Sequence, residues 1–180
     1  MLIRTDRLLL RPFEVTDVDD VWAFQRLPEV ARHMLRAPRG RDEAETSVRG
    51  MMTERSAGDG GLTLAVILPA TGTVIGEVSL ALRGAACRGG EIGYVLHPDH
   101  HGRGLATEAA NTMLRLGFGE LDLHRITGKC SARNTASVRL LERLGMRREA
   151  HFLGSRWVKG GWRDEFIYAM LRDEWLTRSR

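Results

Sequence analysis

The stretch HHGRGLATEAA, His100 to Ala110, sets Gly102 and Gly104 one residue apart, with Arg103 between them and two histidines before them. It runs directly into an alanine-rich helical pattern. A helix start usually carries Ser, Thr, Asp or Asn as its cap, and glycine within a helix costs about 1 kcal/mol relative to alanine. Glycines at such a junction remove the Cβ atoms that would hold a ligand off the backbone. The unpaired first N–H groups and the positive dipole end of the helix then face that ligand, and phosphate is the natural guest. The other reading is a tight strand-to-helix turn, and on the glycines alone the two stand even. A Walker loop would need Lys and then Ser or Thr after its second glycine, where Leu105 and Ala106 stand. A dinucleotide fingerprint would need a third glycine and an early βαβ unit.

A second stretch, NTASVRLLERLGM, opens on Asn134 as a helix cap. Ser137, Leu140, Leu141 and Leu144 then fall on one face, so a hydroxyl joins an apolar stripe. Read alone, Asn134 caps and Ser137 packs or bonds back to a carbonyl.

HGRGLA, read from His101, resembles the pyrophosphate signature of the GNAT superfamily of acyl-CoA-dependent N-acyltransferases: Arg or Gln, two residues, Gly, one residue, then Gly or Ala. GRGLATEA is similar to the RimJ/RimL-type branch, which acetylates protein N-termini and small amines. The likeness spans nearly the whole chain, from IRTDRLLLRPFEVTD through EIGYVLHPDHHGRGLATEA and NTASVRLLERLGM to RDEFIYAML. His101 departs from the pattern at a position that contributes chiefly backbone. The resemblance implies acetyl-CoA as cofactor, with the amides of Gly102, Arg103, Gly104, Leu105, Ala106 and Thr107 around its pyrophosphate. It implies backbone contacts near Val95 and Leu96, the Leu96 N–H donating to the thioester oxygen, on a strand splayed from its neighbour. It also gives Asn134 a contact to pantetheine or phosphate, and Ser137 (a Tyr in other branches) the protonation of the departing thiolate.

Acyl transfer from a thioester to an amine needs a neutral amine, a polarised carbonyl and a proton for the leaving sulfur. An alkyl amine is mainly protonated at neutral pH, so a base must act. Glu91 begins the cofactor-binding strand, near the place where classical members carry their catalytic Glu; the alternative is a solvated strand-end charge. Glu77, which interrupts an apolar run, is the next candidate, followed by His97, His151 and Asp164. Some relatives draw a base from the penultimate strand, but Arg156 and Trp157 occupy that region. Met51, Met52 and Met113 read as core filling, and Trp157 and Trp162 as packing or as walls of the acceptor site. His100 and His101 lack the carboxylate and spacing of a metal site, and no metal is expected.

The elements that must position these groups follow from hydrophobic period and punctuation. Leu2–Phe13 reads as an edge strand closed by Pro12, and Thr16 as the cap of the helix DVDDVWAFQRL. Pro28 restarts the chain, and a helix is expected over Arg41–Arg55. LTLAVIL and VIGEVSLAL form a hairpin, EIGYVLH a third strand, and the run from Ala106 to Gly117 a helix. HRITGKC is a strand, Asn134 to Gly145 a compact helix, and Met146–Trp175 holds two more strands around KGG. The predicted order is βααβββαβαββ. The expected class is an α/β (α+β) GNAT fold, a mixed, mostly antiparallel sheet of about seven strands flanked by about four helices, in a single domain over residues 1–180.

With 43% hydrophobic and 28% charged residues, the composition excludes disorder and fibrous classes. The start of the chain lacks the apolar run of a secretory signal or membrane span, so a cytoplasmic protein with no membrane partner is expected. Cys87 and Cys130 form no metal or disulfide framework, and neither stands in a signature motif as an acyl carrier would. The net charge of +4 suits a polyanionic ligand. The 25 arginines are interspersed with acids and never form the basic run of a nucleic-acid groove. The expected activity is acetyl transfer to a primary amine, with a protein or peptide N-terminus as acceptor. A small amine (polyamine, antibiotic or amino acid derivative), or a noncatalytic acyl-CoA sensor, is the alternative. The family likeness leaves a homodimer open.

Overall fold

The computed structural model describes residues 1–53, 60–83 and 88–178. Cys87, the loop around it and the end of the Arg41–Arg55 helix fall outside these residues. The chain runs β1 (Ile3–Arg4), β2 (Leu9–Arg11), α1 (Val18–Gln25), α2 (Pro28–Ala31), α3 (Arg41–Thr53), β3 (Gly61–Ile67), β4 (Val74–Arg83) and β5 (Gly89–Leu96). It continues with α4 (Leu105–Arg115), β6 (Arg125–Ser131), α5 (Thr135–Arg143), β7 (Arg147–Val158), β8 (Gly161–Leu171) and α6 (Arg172–Arg178). The strands form one sheet in the order β1-β2-β3-β4-β5-β6-β8-β7. Only β5 and β6 are parallel among its pairs.

The expected order stands, with three additions. The opening strand is divided in two, because the Thr5 amide and hydroxyl both turn onto Leu8 O, at 2.9 and 3.2 Å. Among the described residues, short helices α2 and α6 bring the α-helices to six, and the divided opening strand brings the strands to eight. Thr16 is not the cap of α1. Val15–Asp17 is a 3₁₀ turn, opened by a reciprocal capping box between Glu14 and Asp17. Asp17 is buried and takes the Arg11 guanidinium bidentately at 2.7 and 2.8 Å.

Two apolar cores sandwich the sheet. Val21 and Phe24 of α1 and Ala44 and Val48 of α3 pack on one face. Ala109 and Met113 of α4, Leu140 and Leu141 of α5 and Leu144 just after it pack on the other. All seven residues of β3 are buried, as a strand covered on both faces must be. Helix α5 ends in a Schellman motif, Met146 N donating to Leu141 O at 3.1 Å and Gly145 N to Glu142 O at 2.9 Å.

Candidate active site

The sheet opens between β5 and β6. β5 pairs with β6 only from Gly89 to Ile92, opposite Arg125 to Gly128, although β5 continues to Leu96 and β6 to Ser131. Beyond Ile92 the two strands part, because β6 stays with β8 through Ser131 while β5 stays with β4 through Leu96. The direction of the exposed backbone follows from one bond: His97 N donates to Ile75 O of β4 at 2.7 Å. In the antiparallel ladder this alternates, so Val95 spends its N–H and C=O on Glu77, while Tyr94 and Leu96 turn theirs into the opening. The backbone groups available there are those of Tyr94 and Leu96, and Val95 contributes through its neighbours. The Leu96 carbonyl is already engaged by His101 Nε2 at 2.9 Å, so the His101 ring holds the end of β5.

From this opening the chain passes through the 3₁₀ turn Pro98–His100 to the glycine pair. Gly102 and Gly104 have φ of 74° and 76°, left-handed values that explain glycine at both places. No atom lies within 4 Å of where a Gly102 Cβ would stand. Gly104 caps α4, and Glu108 N is the first amide to return to it, at 3.0 Å to Gly104 O. The amides of Leu105, Ala106 and Thr107 lie in the turn before that bond. Thr107 Oγ1 is buried without a hydrogen-bond partner. Beside Gly104 and Thr107 lies a cavity of about 560 Å³ that Arg143 and Arg178 also line. Arg7 reaches this junction, donating to Arg103 O at 2.7 Å and pairing with Glu108. An anion-binding turn, an orphan hydroxyl and an arginine-lined hollow fit a pyrophosphate-bearing cofactor.

Helix α5 stands across the opening on the α4 side of the sheet. Asn134 Oδ1 accepts Ser137 N at 3.1 Å, so the capping reading of Asn134 holds. The Ser137 hydroxyl lies 2.7 Å from the Tyr94 hydroxyl. Burial drives the Tyr94 hydroxyl pKa well above its ordinary value, with the Ser137 bond opposing, so it stays protonated. Sequence reasoning missed Tyr94. Its signal was a polar tip between apolar neighbours in the half of β5 that follows Glu91.

The carboxylates divide by register. Glu91 sits opposite Thr127 in the closed part of the β5–β6 pair, five residues before Leu96, which is about 16 Å at roughly 3.3 Å per residue. Arg83 pairs with it, and Lys129 Nζ lies at 3.1 Å. Burial works to raise its pKa, but the bonds from Arg83 and Lys129 outweigh it and hold the group below the usual range. Glu77 stands directly across from Val95, level with the opening. It accepts from Gln25 Nε2 at 3.4 Å. It lines a second cavity, of about 570 Å³, on the α1–α3 face, together with Arg36, Arg39, Ser47 and Ser79.

The remaining candidates are placed elsewhere or otherwise engaged. His97 Nδ1 accepts Asp99 N at 3.2 Å and caps the turn before the glycines. His100 lies edge-on to His97, its pKa lowered by burial and then by that neighbour. His151 lies 3.6 Å from Asp164, whose other oxygen accepts Gly154 N at 2.8 Å. Trp157 and Trp162 meet edge to face across the last hairpin and are 62% and 61% exposed, so they are not core. Met51 and Met113 are buried in the two cores, with Met52 packed against the first. Among the described residues no cluster of three or more His, Cys, Asp or Glu side chains could hold a metal.

Residues 7–147 match the acetyltransferase (GNAT) domain family. The chain belongs to that family. It is 33% identical over 175 residues to the uncharacterized N-acetyltransferase YnaD of Bacillus subtilis, covering 97% of this chain and 99% of that one. A spermidine N(1)-acetyltransferase of Vibrio cholerae is 29% identical over 114 residues, 63% of this chain and 66% of the other. The crystal structure of a GNAT-family acetyltransferase from Bacillus anthracis superposes with a TM-score of 0.87 at 31% identity, covering 97% of this chain and all of that one. The protein is therefore a GNAT-fold acyltransferase that uses acetyl-CoA. No helix of the described residues is long and apolar enough to cross a membrane.

Proposed function

We propose that the enzyme transfers acetyl directly from acetyl-CoA to a primary amine, with protein or peptide N-termini of the kind acetylated by the RimJ/RimL-type branch as the acceptor class. The observation that carries this is the opening between β5 and β6, which ends at two left-handed glycines and the start of α4. The partly enclosed cavity beside Glu77 favours a second acceptor class, a small amine. In either case the setting is cytoplasmic.

Bound acetyl-CoA supplies an activated thioester. The amides of Gly102 to Thr107 hold the pyrophosphate, with Thr107 Oγ1 as a further donor. The Leu96 N–H donates to the thioester oxygen as negative charge grows there. We assign to Glu77 the base role that family resemblance gives Glu91: its carboxylate takes the proton from the incoming ammonium on the α1–α3 face. On the other face the Ser137 hydroxyl, held by Tyr94, gives its proton to the departing sulfur.

Calorimetric titration with acetyl-CoA, followed by thiol release against N-terminal peptides and small amines, tests the reading. Gly104→Glu puts a carboxylate where the pyrophosphate should sit, and binding should weaken at least about a hundredfold, against about 1–3 kcal/mol of backbone strain. Wild-type protein that binds no acetyl-CoA would return the glycines to an ordinary turn. Binding without turnover for any amine would make the chain an acyl-CoA sensor.

A further inference from the structure

The cavity on the α1–α3 face carries charge that acetyl transfer does not require. Both terminal nitrogens of Arg36 are buried there without a hydrogen-bond partner. Arg39, alongside, is engaged with Gln25 Oε1 at 2.9 Å and Ser47 Oγ at 2.6 Å. Burial and then the charge of Arg39 lower the Arg36 pKa, while Glu77 and Glu43 oppose them. Arginine does not lose its proton in proteins, so this guanidinium remains charged, with its terminal donors unused at the wall of a partly enclosed cavity. A buried cation with unused donors is costly unless an oxyanion completes it. The same cavity wall carries Glu77, so a place for an ammonium and a place for a carboxylate face one volume of about 570 Å³, within the usual range for a small-molecule site.

We propose that Arg36 receives a carboxylate of the acceptor, so that the substrate is an amine bearing an acid group close to its reacting nitrogen. This rests on the acetyl-transfer reading above and narrows its acceptor. A polyamine brings further cations against Arg36 and Arg39 and is disfavoured by repulsion. The same chemistry is offered by a free amino acid and by a peptide whose first residue is Asp or Glu.

The test is thiol release from acetyl-CoA with free amino acids, the matching amino acid amides, peptides starting with Glu or Ala, and spermidine. Acid-bearing acceptors should exceed their neutral counterparts by about tenfold to a hundredfold in kcat/KM, mostly through KM. Activity with free glutamate identifies a free amino acid, and activity confined to the Glu-leading peptide identifies an N-terminus. Arg36→Met should erase the preference while calorimetry shows acetyl-CoA affinity unchanged, and Arg36→Lys should retain part of it. Because Arg36→Met removes a cation whose terminal nitrogens are buried without hydrogen bonds, the loss of its attraction to Glu77 and Glu43 is offset, and the melting temperature should fall little from that of the wild type. Equal use of acids, amides and spermidine by the wild type, or a preference that survives Arg36→Met, overturns the proposal. Failure of acetyl-CoA to bind at all overturns the acetyl-transfer reading instead, and is recognised in the titration before any acceptor is added.

Discussion

Replacing each of two carboxylates by its amide separates the register argument from the family pattern. Glu77→Gln removes a base level with the opening, and a general base contributes about 10² to 10⁴ in rate, so kcat should fall by at least a hundredfold near neutral pH. Glu91→Gln removes a carboxylate in the closed part of the β5–β6 pair, held by Arg83 and Lys129. Its loss should change kcat by less than about threefold. The stability lost should be no more than about 1 kcal/mol, since Arg83 is more than half exposed and solvent screens the pair. The assay is thiol release from saturating acetyl-CoA between pH 6 and pH 10, with melting temperature recorded for each variant. An α-amine loses its proton near pH 8, so the Glu77→Gln deficit should shrink as pH rises and the substrate arrives already neutral. A deficit constant with pH would point to lost positioning, not lost base catalysis. If Glu91→Gln costs the hundredfold and Glu77→Gln is nearly silent, the register argument is refuted and the family position is the right one.

Ser137→Ala should lower kcat about tenfold or more with little change in KM for acetyl-CoA, and cost about 1 kcal/mol by leaving the half-buried Tyr94 hydroxyl only Ser137 O, at 3.4 Å. Tyr94→Phe should show a smaller kcat loss, and the double variant should be no worse than Ser137→Ala alone, as a double-mutant cycle on rates and urea midpoints would reveal. Glu108 gives an acid-stability prediction: burial raises its pKa, but the bonds from Thr5 and Arg7 outweigh it and bring the folded value below 4.5. A depressed folded value stabilises above the unfolded one and is lost as pH falls through it, so Glu108→Gln should lower the urea midpoint at pH 7 but hardly at pH 3.

The parts of this molecule that were legible in the sequence depend on neighbours close in the chain. The glycine junction before α4, the Asn134 cap and the β3–β4 hairpin each follow from a few adjacent residues. The cap of α1 was misread because the 3₁₀ turn Val15–Asp17 moves it one residue on, to Asp17, which Glu14 and Arg11 hold from three and six residues before it. The state of Glu91 was hidden because Arg83 and Lys129 come from the two flanking strands, and only strand register brings them together. Arg36 is one of 25 arginines, and nothing in its sequence neighbourhood marks it as one whose terminal nitrogens are buried without hydrogen-bond partners. Glu77 was visible because a charge inside an apolar strand has to be accounted for.

The two faces of the sheet impose an order on the chemistry. Glu77 and Arg36 belong to the α1–α3 side, whereas Tyr94 and Ser137 belong to the α4–α5 side. Between them β4 pairs with β5 through Leu96 and β6 with β8 through Ser131, but β5 and β6 pair only as far as Ile92 and part beyond it. A nucleophile deprotonated on one side and a sulfur protonated on the other can share a carbonyl carbon only at that gap. The roles proposed for the two faces are those of one direct displacement, with no acyl-enzyme between. The described cysteine agrees: Cys130 is buried in the core, and burial, then Glu165 and Glu142, push its thiol up to about 11. At neutral pH such a thiol is almost wholly protonated and a poor nucleophile, so the acetyl group has no competing acceptor there.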